Sequence, residues 1–188
     1  MVAEPSRVDL ETWALWAALR TVPQPEDVAE HRKAVGTAAE RLSFIYEKQR
    51  LTKAGYSSLA SRIRWVARES PAYGFDILSF CGANSLGRIP ETQLAIEVKG
   101  QSLVARPNFS FFLTRHEWRT ANMLGANDYI FHFWHGVNAS APENAAHTTP
   151  VTVSPSLVER HVPLSPTCAS KCDWESTFVS LDISGTAE

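Results

Sequence analysis

Two short apolar runs, each carrying charge at alternate positions, constrain this chain more than any other feature. The first reads Tyr73-Gly74-Phe75-Asp76-Ile77-Leu78-Ser79-Phe80 and the second Leu94-Ala95-Ile96-Glu97-Val98-Lys99. β-Branched and aromatic residues bounded by Gly, Pro and Asn predict strands. Successive side chains of a strand point to opposite faces, so Glu97 and Lys99 share one face and Ile96 and Val98 take the other. Asp76 likewise opposes Phe75 and Ile77. The turn-forming residues from Gly82 to Thr92 allow the two strands to pair as an antiparallel hairpin. Charge on otherwise apolar strands must meet a partner or a polar pocket, because a lone buried charge is too costly.

The flanking pattern supplies the other elements. Leu10, Trp13, Trp16 and Leu19, three apart, predict a helix over Val8 to Arg20 whose stripe packs on the core or docks on a partner. A longer helix is expected from Glu26 to about Lys53, with Val28, Val35, Ala38, Leu42, Ile45 and Tyr46 as its apolar stripe. Glu26 and Asp27 suit its first turn and Gly55 its exit. Alternation from Leu59 to Arg68 predicts a first strand with a partly basic face. The apolar run Phe109 to Leu113 leads into Thr114 and Glu117, a capping box that should start a helix ending near Gly125. Tyr129 to Val137 reads as a last core strand. The expected order is helix, three strands, helix, strand, an α/β (α+β) fold with a mixed sheet. Residues 138–150 read as a loop, and Val151–Val153, Val158–Val162 and Thr177–Ile183 as short strands. The resulting division is an N-terminal helical extension (1–25), a core (26–137) and a loop-rich C-terminal extension (138–188).

Composition narrows the class. A chain of 188 residues, 44% hydrophobic with six Trp, can bury a real core, which argues against wholesale disorder. No apolar run approaches the roughly 20 residues that span a bilayer. Glu4, Asp9 and Glu11 stand where a secretory leader would be basic and then apolar. Cys81, Cys168 and Cys172 are an odd set that suggests no disulfide framework, so a reducing cytoplasm is the expected setting. The net charge of −2 hides a surplus of seven positive charges between Arg32 and Arg68, where nine basic residues face only Glu40 and Glu47. Such a segment can bind phosphates, or it can be the solvated face of a helix.

Two carboxylates and an ammonium on paired strands suit a magnesium-dependent phosphodiesterase, although a surface salt bridge uses the same residue types. His132 and His135 fall on opposite faces of a strand and should not ligate jointly. Cys168 and Cys172 lack a second ligand pair at zinc spacing.

An ordered set of motifs goes further. It comprises Gly36-Thr37-Ala38-Ala39-Glu40, Tyr46-Glu47, Gly74-Phe75-Asp76-Ile77, Ile96-Glu97-Val98-Lys99, Phe112-Leu113-Thr114 with Glu117-Trp118, and Tyr129. In order and rough spacing these resemble the PD-(D/E)XK nuclease superfamily, and more narrowly the domain at the C-terminus of the plant protein NO VEIN and in many bacterial restriction and defence proteins. The resemblance covers roughly residues 35 to 137. It implies a restriction-endonuclease-like αβββαβ core in which Asp76, Glu97 and the Val98 main-chain carbonyl hold Mg²⁺, with Mn²⁺ as a substitute. Lys99 would orient or stabilise the nucleophile, Glu40 would be an auxiliary helix carboxylate, and Gln101 would support the site from the Glu97/Lys99 face. DNA is the implied substrate, with Arg62, Arg64, Arg68, Lys48 and Lys53 as candidate phosphate contacts. A homodimer would provide two sites for two strands, and an ATPase, helicase or other defence subunit could deliver the DNA. Three positions depart from the family pattern: Phe75 where Tyr is commoner, Ala39 where Gly is frequent, and Gly100-Gln101 where a small hydroxyl residue is common. A helical projection sets Glu40 about 160° from Leu42, which makes it a solvated carboxylate or else has this helix covered on both sides. A nucleic-acid-binding or partner-docking module of the same fold, without chemistry, is the alternative.

Overall fold

A computed structural model describes residues 25–82, 90–102, 108–141, 149–162 and 174–182. The predicted Val8–Arg20 helix, Cys168 and Cys172 lie outside the described residues. The chain divides into two compact units, Met1–Lys33 and Ala34–Glu188, and the architecture below concerns the second.

Helix α1 (Pro25–Lys53) begins and ends as its sequence predicts: Glu26 and Asp27 occupy the first turn, Arg50 and Lys53 the last. Charges of those signs favour the two helix ends. After the turn at Gly55, which has a positive φ, α2 (Ser57–Ala60) is a single turn. The predicted first strand then shrinks to β1 (Arg64–Trp65), followed by 3-10 turns at Val66–Arg68 and Pro71–Tyr73. The reason is visible in burial. Leu59, Ala60, Ile63 and Val66 are buried while Ser61 is exposed, a spacing of three to four rather than two.

β2 (Ile77–Phe80) and β3 (Gln93–Gly100) form the predicted antiparallel pair, with Ile77 opposite Ile96. β4 (Asn108–Thr114) precedes α3 (Arg115–Leu124), and β5 (Tyr129–Trp134) returns parallel to β3. β6 (Val151–Val153) pairs with β5, so the mixed sheet runs β1-β2-β3-β5-β6. The predicted strand at Val158–Val162 is instead helical at its start. α4 (Pro155–Glu159) opens on its Pro after the N-cap Ser154, and Val158 and Val162, four apart, are both buried. β7 (Ser176–Asp182) matches its predicted range and pairs antiparallel with β4 in a second, two-stranded sheet.

The five-stranded sheet buries both faces. On one, Val35, Ala38 and Ala39 of α1 pack with Leu94, Ile96, Val98 and Trp134. On the other, Phe109, Phe111 and Leu113 of β4 meet Ala95, Tyr129, Phe131 and Phe133, with Val153, Val158, Val179 and Leu181 from beyond residue 138. The face that α1 buries differs from the predicted stripe. Ile45 is exposed, and Ser43 and Glu47 are buried. Polar partners explain the exchange. The buried Glu47 carboxylate accepts from Ser79 Oγ at 2.5 Å and from Arg50 at 2.7 and 2.9 Å, while Arg50 also donates to the Phe80 and Cys81 carbonyls. Ser43 Oγ accepts from Trp134 Nε1 at 2.6 Å.

Candidate active site

The acidic site lies where β2 and β3 separate. Antiparallel pairing ends at Ile77, and the Asp76 N–H still reaches the Ile96 carbonyl at 2.9 Å. Two residues on, the Asp76 side chain replaces the missing strand: Val98 N–H donates to Asp76 Oδ2 at 2.8 Å. N–H and C=O of one strand residue leave on the same edge, so the Val98 carbonyl also faces this opening. Glu97, Lys99 and Gln101 direct their main-chain groups toward β5, as the Gln101 N–H to Trp134 carbonyl bond shows.

Asp76 is aimed by the turn before it. Gly74 adopts φ +69, and a Cβ there would collide with the Thr120 hydroxyl of α3. The same α3 holds the turn through His116 Nε2, 2.9 Å from the Ala72 carbonyl. Tyr129 OH donates to the Gly74 carbonyl at 3.0 Å and its phenol also adjoins Glu97. Gly-Phe-Asp therefore places a left-handed residue, a core aromatic and a carboxylate in fixed succession.

Lys99 sits in the middle of the charges. Its Nζ is 2.7 Å from Glu97 Oε1 and 2.9 Å from Glu117 Oε2, and 6.0 Å from the centre of the Phe111 ring. Glu117 does a second job. The same Oε2 accepts from Thr114 N–H at 3.0 Å while Thr114 Oγ1 accepts from Glu117 N–H, completing the predicted capping box. Sequence spacing revealed the cap but not the ion pair, because Lys99 and Glu117 lie on different elements.

Glu40 approaches from α1. Its Oε2 accepts from Trp65 Nε1 at 2.6 Å, and the Arg68 guanidinium lies 3.7 Å over the Trp65 ring. Of the two projected settings the solvated one fails, because the buried face of α1 passes through Ala39 rather than Leu42, which leaves Glu40 at its margin. Close approach of α1 depends on Gly100, where a Cβ would lie 2.7 Å from Ala39 Cβ and 3.2 Å from the Val35 carbonyl. Ala39 on the helix and Gly100 on the strand are the two small residues that meet at this contact.

Electrostatics mark the cluster as overcharged. Burial first, and then the Glu40 charge, push the Asp76 carboxyl up to about 7, against relief from Val98 N–H and Lys99. Burial also raises Glu97 well above the usual carboxylate range, with Lys99 opposing and Asp76 and Glu117 adding to the rise. Glu40 is raised by burial, with Trp65, Arg68 and Lys99 opposing. Burial works against charge on Lys99, but Glu97 and Glu117 outweigh it and keep the ammonium protonated.

This donor set fits a hard divalent cation. Asp76 lies close enough to add to the rise of Glu97, the Val98 carbonyl leaves its strand on the Asp76 side, and a cation would offset the negative charge gathered there. Among the described residues no group of three or more His, Cys, Asp or Glu is disposed to hold a metal ion. Mg²⁺ commonly takes only one or two carboxylates and keeps several waters.

Other sequence candidates lie elsewhere or are engaged. The Gln101 amide donates to the Ser110 carbonyl at 2.7 Å and so braces β4 against β3. Arg64 is paired with Glu69, Arg62 lies 4.9 Å over Phe80 at the far end of β2, and Lys48 lies 4.5 Å over Phe44. Along α1, Lys48 and Lys53 stand about 12 and 20 Å beyond Glu40. Only Arg68 of the basic candidates adjoins the site. His132 and His135 do take opposite faces: His132 Nδ1 is 3.3 Å from Ser43 Oγ, and His135 is edge-on to Phe109.

The family model described as Protein NO VEIN, C-terminal, matches residues 39–145, more than half of the chain and every member of the cluster from Glu40 to Tyr129. The chain belongs to the NO VEIN C-terminal family. No curated protein and no solved structure matches it. Among the described residues no helix is long and apolar enough to cross a membrane.

Proposed function

We propose that this NO VEIN C-terminal domain is a Mg²⁺-dependent nuclease of the PD-(D/E)XK kind, hydrolysing DNA phosphodiesters in a restriction or antiviral defence system. One observation carries the reading: Asp76, Glu97 and Lys99 converge at the opening between β2 and β3, with too much buried negative charge for one ammonium. Within the main sheet, an antiparallel β1-β2-β3 and a later strand parallel to β3 are compatible with the αβββαβ core that the superfamily resemblance implies, with β4 added between β3 and α3 in the second sheet.

A bound Mg²⁺ would acidify the attacking water and offset charge on the phosphate. The chain's own part is to hold Asp76 through Val98 N–H, to keep Glu97 beside Tyr129, and to fix a protonated Lys99 where charge grows on the phosphoryl oxygens. Glu40 would add field from α1, and Arg68 would offer the nearest phosphate contact.

The test is cleavage of plasmid DNA with Mg²⁺ or Mn²⁺. Lys99→Ala and Asp76→Ala should abolish cutting while circular dichroism shows the fold retained. Cutting that persists in both variants would remove the site from the chemistry.

A second reading, a silent nucleic-acid-binding or docking module, draws on one feature. Lys99 is clamped by two carboxylates, and Lys48, Lys53 and Arg62, which would be the phosphate contacts in this reading, lie away from the opening. Salt-dependent DNA binding without divalent-ion binding would favour it.

A further inference from the structure

We propose that Glu117 is a positioning residue: it holds the Lys99 ammonium so that Glu97 is free to turn to a divalent cation. The inference rests on the nuclease reading above and deepens it. A capping box takes Glu or Gln at this position, and a carboxylate there also suits the helix dipole. The geometry gives the charge at 117 a further use: one oxygen, Oε2, receives both Thr114 N–H and Lys99 Nζ. That oxygen is fixed by the first turn of α3, while Glu97 Oε1 meets the same ammonium at 2.7 Å from the neighbouring strand position.

Without Glu117, Glu97 would be the one ion-pair partner left to Lys99 among the described residues, and ammonium and cation would compete for that carboxylate. With Glu117 in place, Lys99 keeps a charged partner when Glu97 is drawn to the cation. Glu117 thus acts through Lys99 rather than by touching the cation. A plain field effect of one negative charge would also favour cation binding, but it would do so whether or not Lys99 is present.

Calorimetric titration with Mn²⁺ separates the two. The proteins are the full chain, Glu117→Gln, Lys99→Met and the double variant, with circular dichroism confirming that α3 stays capped in Glu117→Gln. We expect Glu117→Gln to weaken Mn²⁺ binding about tenfold with Lys99 present, the scale of one charge-assisted hydrogen bond. In the Lys99→Met background the same change should cost less than about threefold, the non-additivity that a shared partner produces. Equal losses in both backgrounds would reduce Glu117 to a field charge and overturn the proposal, leaving the metal site standing. A full chain that takes up no Mn²⁺ would overturn the proposal and the nuclease reading together.

Discussion

Replacing Asp76 by Asn should stabilise the metal-free protein at alkaline pH. The folded state raises the Asp76 carboxyl from 3.8 to about 7, chiefly through burial and the Glu40 charge. Folding therefore takes up a proton between about pH 4 and pH 7, and stability present at the acidic end is lost as pH rises through that window. A rise of that size corresponds to about 4 kcal/mol at full ionisation. Asp76 is only partly shielded from water, so about 2 kcal/mol is the expected figure at pH 8. Asn keeps an oxygen for Val98 N–H, so the strand opening retains its hydrogen bond. Urea unfolding in EDTA should show the Asp76→Asn midpoint about 1 M above wild type at pH 8, with an m of about 2 kcal/mol/M. The gap should shrink to a small remainder by pH 4 and close at about pH 3, below both carboxyl values, where wild type is protonated in both states. Mn²⁺ should raise the wild-type midpoint and leave the variant unmoved. An Asp76→Asn variant no more stable than wild type at pH 8, or a gap as large at pH 4 as at pH 8, would refute the reasoning.

Three other outcomes follow from separate parts of the molecule. Gly100→Val should cost about 1–3 kcal/mol by forcing α1 off the sheet, and Ala39→Gly should recover part of it; urea midpoints of the single and double variants decide. Glu47→Ala should cost about 3 kcal/mol or more in the same assay, because it strands Arg50 and the Ser79 hydroxyl, and a loss under about 1 kcal/mol would contradict the buried network. His132 is held down to about 4, chiefly by burial, so its ring proton resonances should stay flat from pH 5 to 8; an inflection near 6.5 would show a charged histidine.

What the sequence disclosed divides along physical lines. Period-two alternation at Asp76 and at Glu97-Val98-Lys99 gave the strand pair and its charged face, because a strand's two faces are encoded locally. The Thr114–Glu117 cap was equally local and equally legible. The α1 stripe misled because its buried face is completed by Ser43 and Glu47, whose partners Trp134 and Ser79 come from distant strands. A hydrophobic count cannot register a side chain that is buried by its hydrogen bonds. The place of Glu40 is open in the sequence for the same reason, since the stripe alone sets the reference angle. Lys99–Glu117 and Gly100–Ala39 are tertiary contacts with no periodic signature, and Val158–Val162 was read as a strand because a run that short fits either period.

The Asp76 carboxylate stands in for a missing length of main chain, and this sets a ruler at the site. One oxygen must reach Val98 N–H from a Cα whose own N–H is already tied to the Ile96 carbonyl. That span fits a side chain with a single methylene. Glutamate would overshoot it, either abandoning the Val98 amide or prising the strands further apart. Aspartate at this position is thus specified twice over, by its charge and by its reach, and a longer acid would keep the first and lose the second.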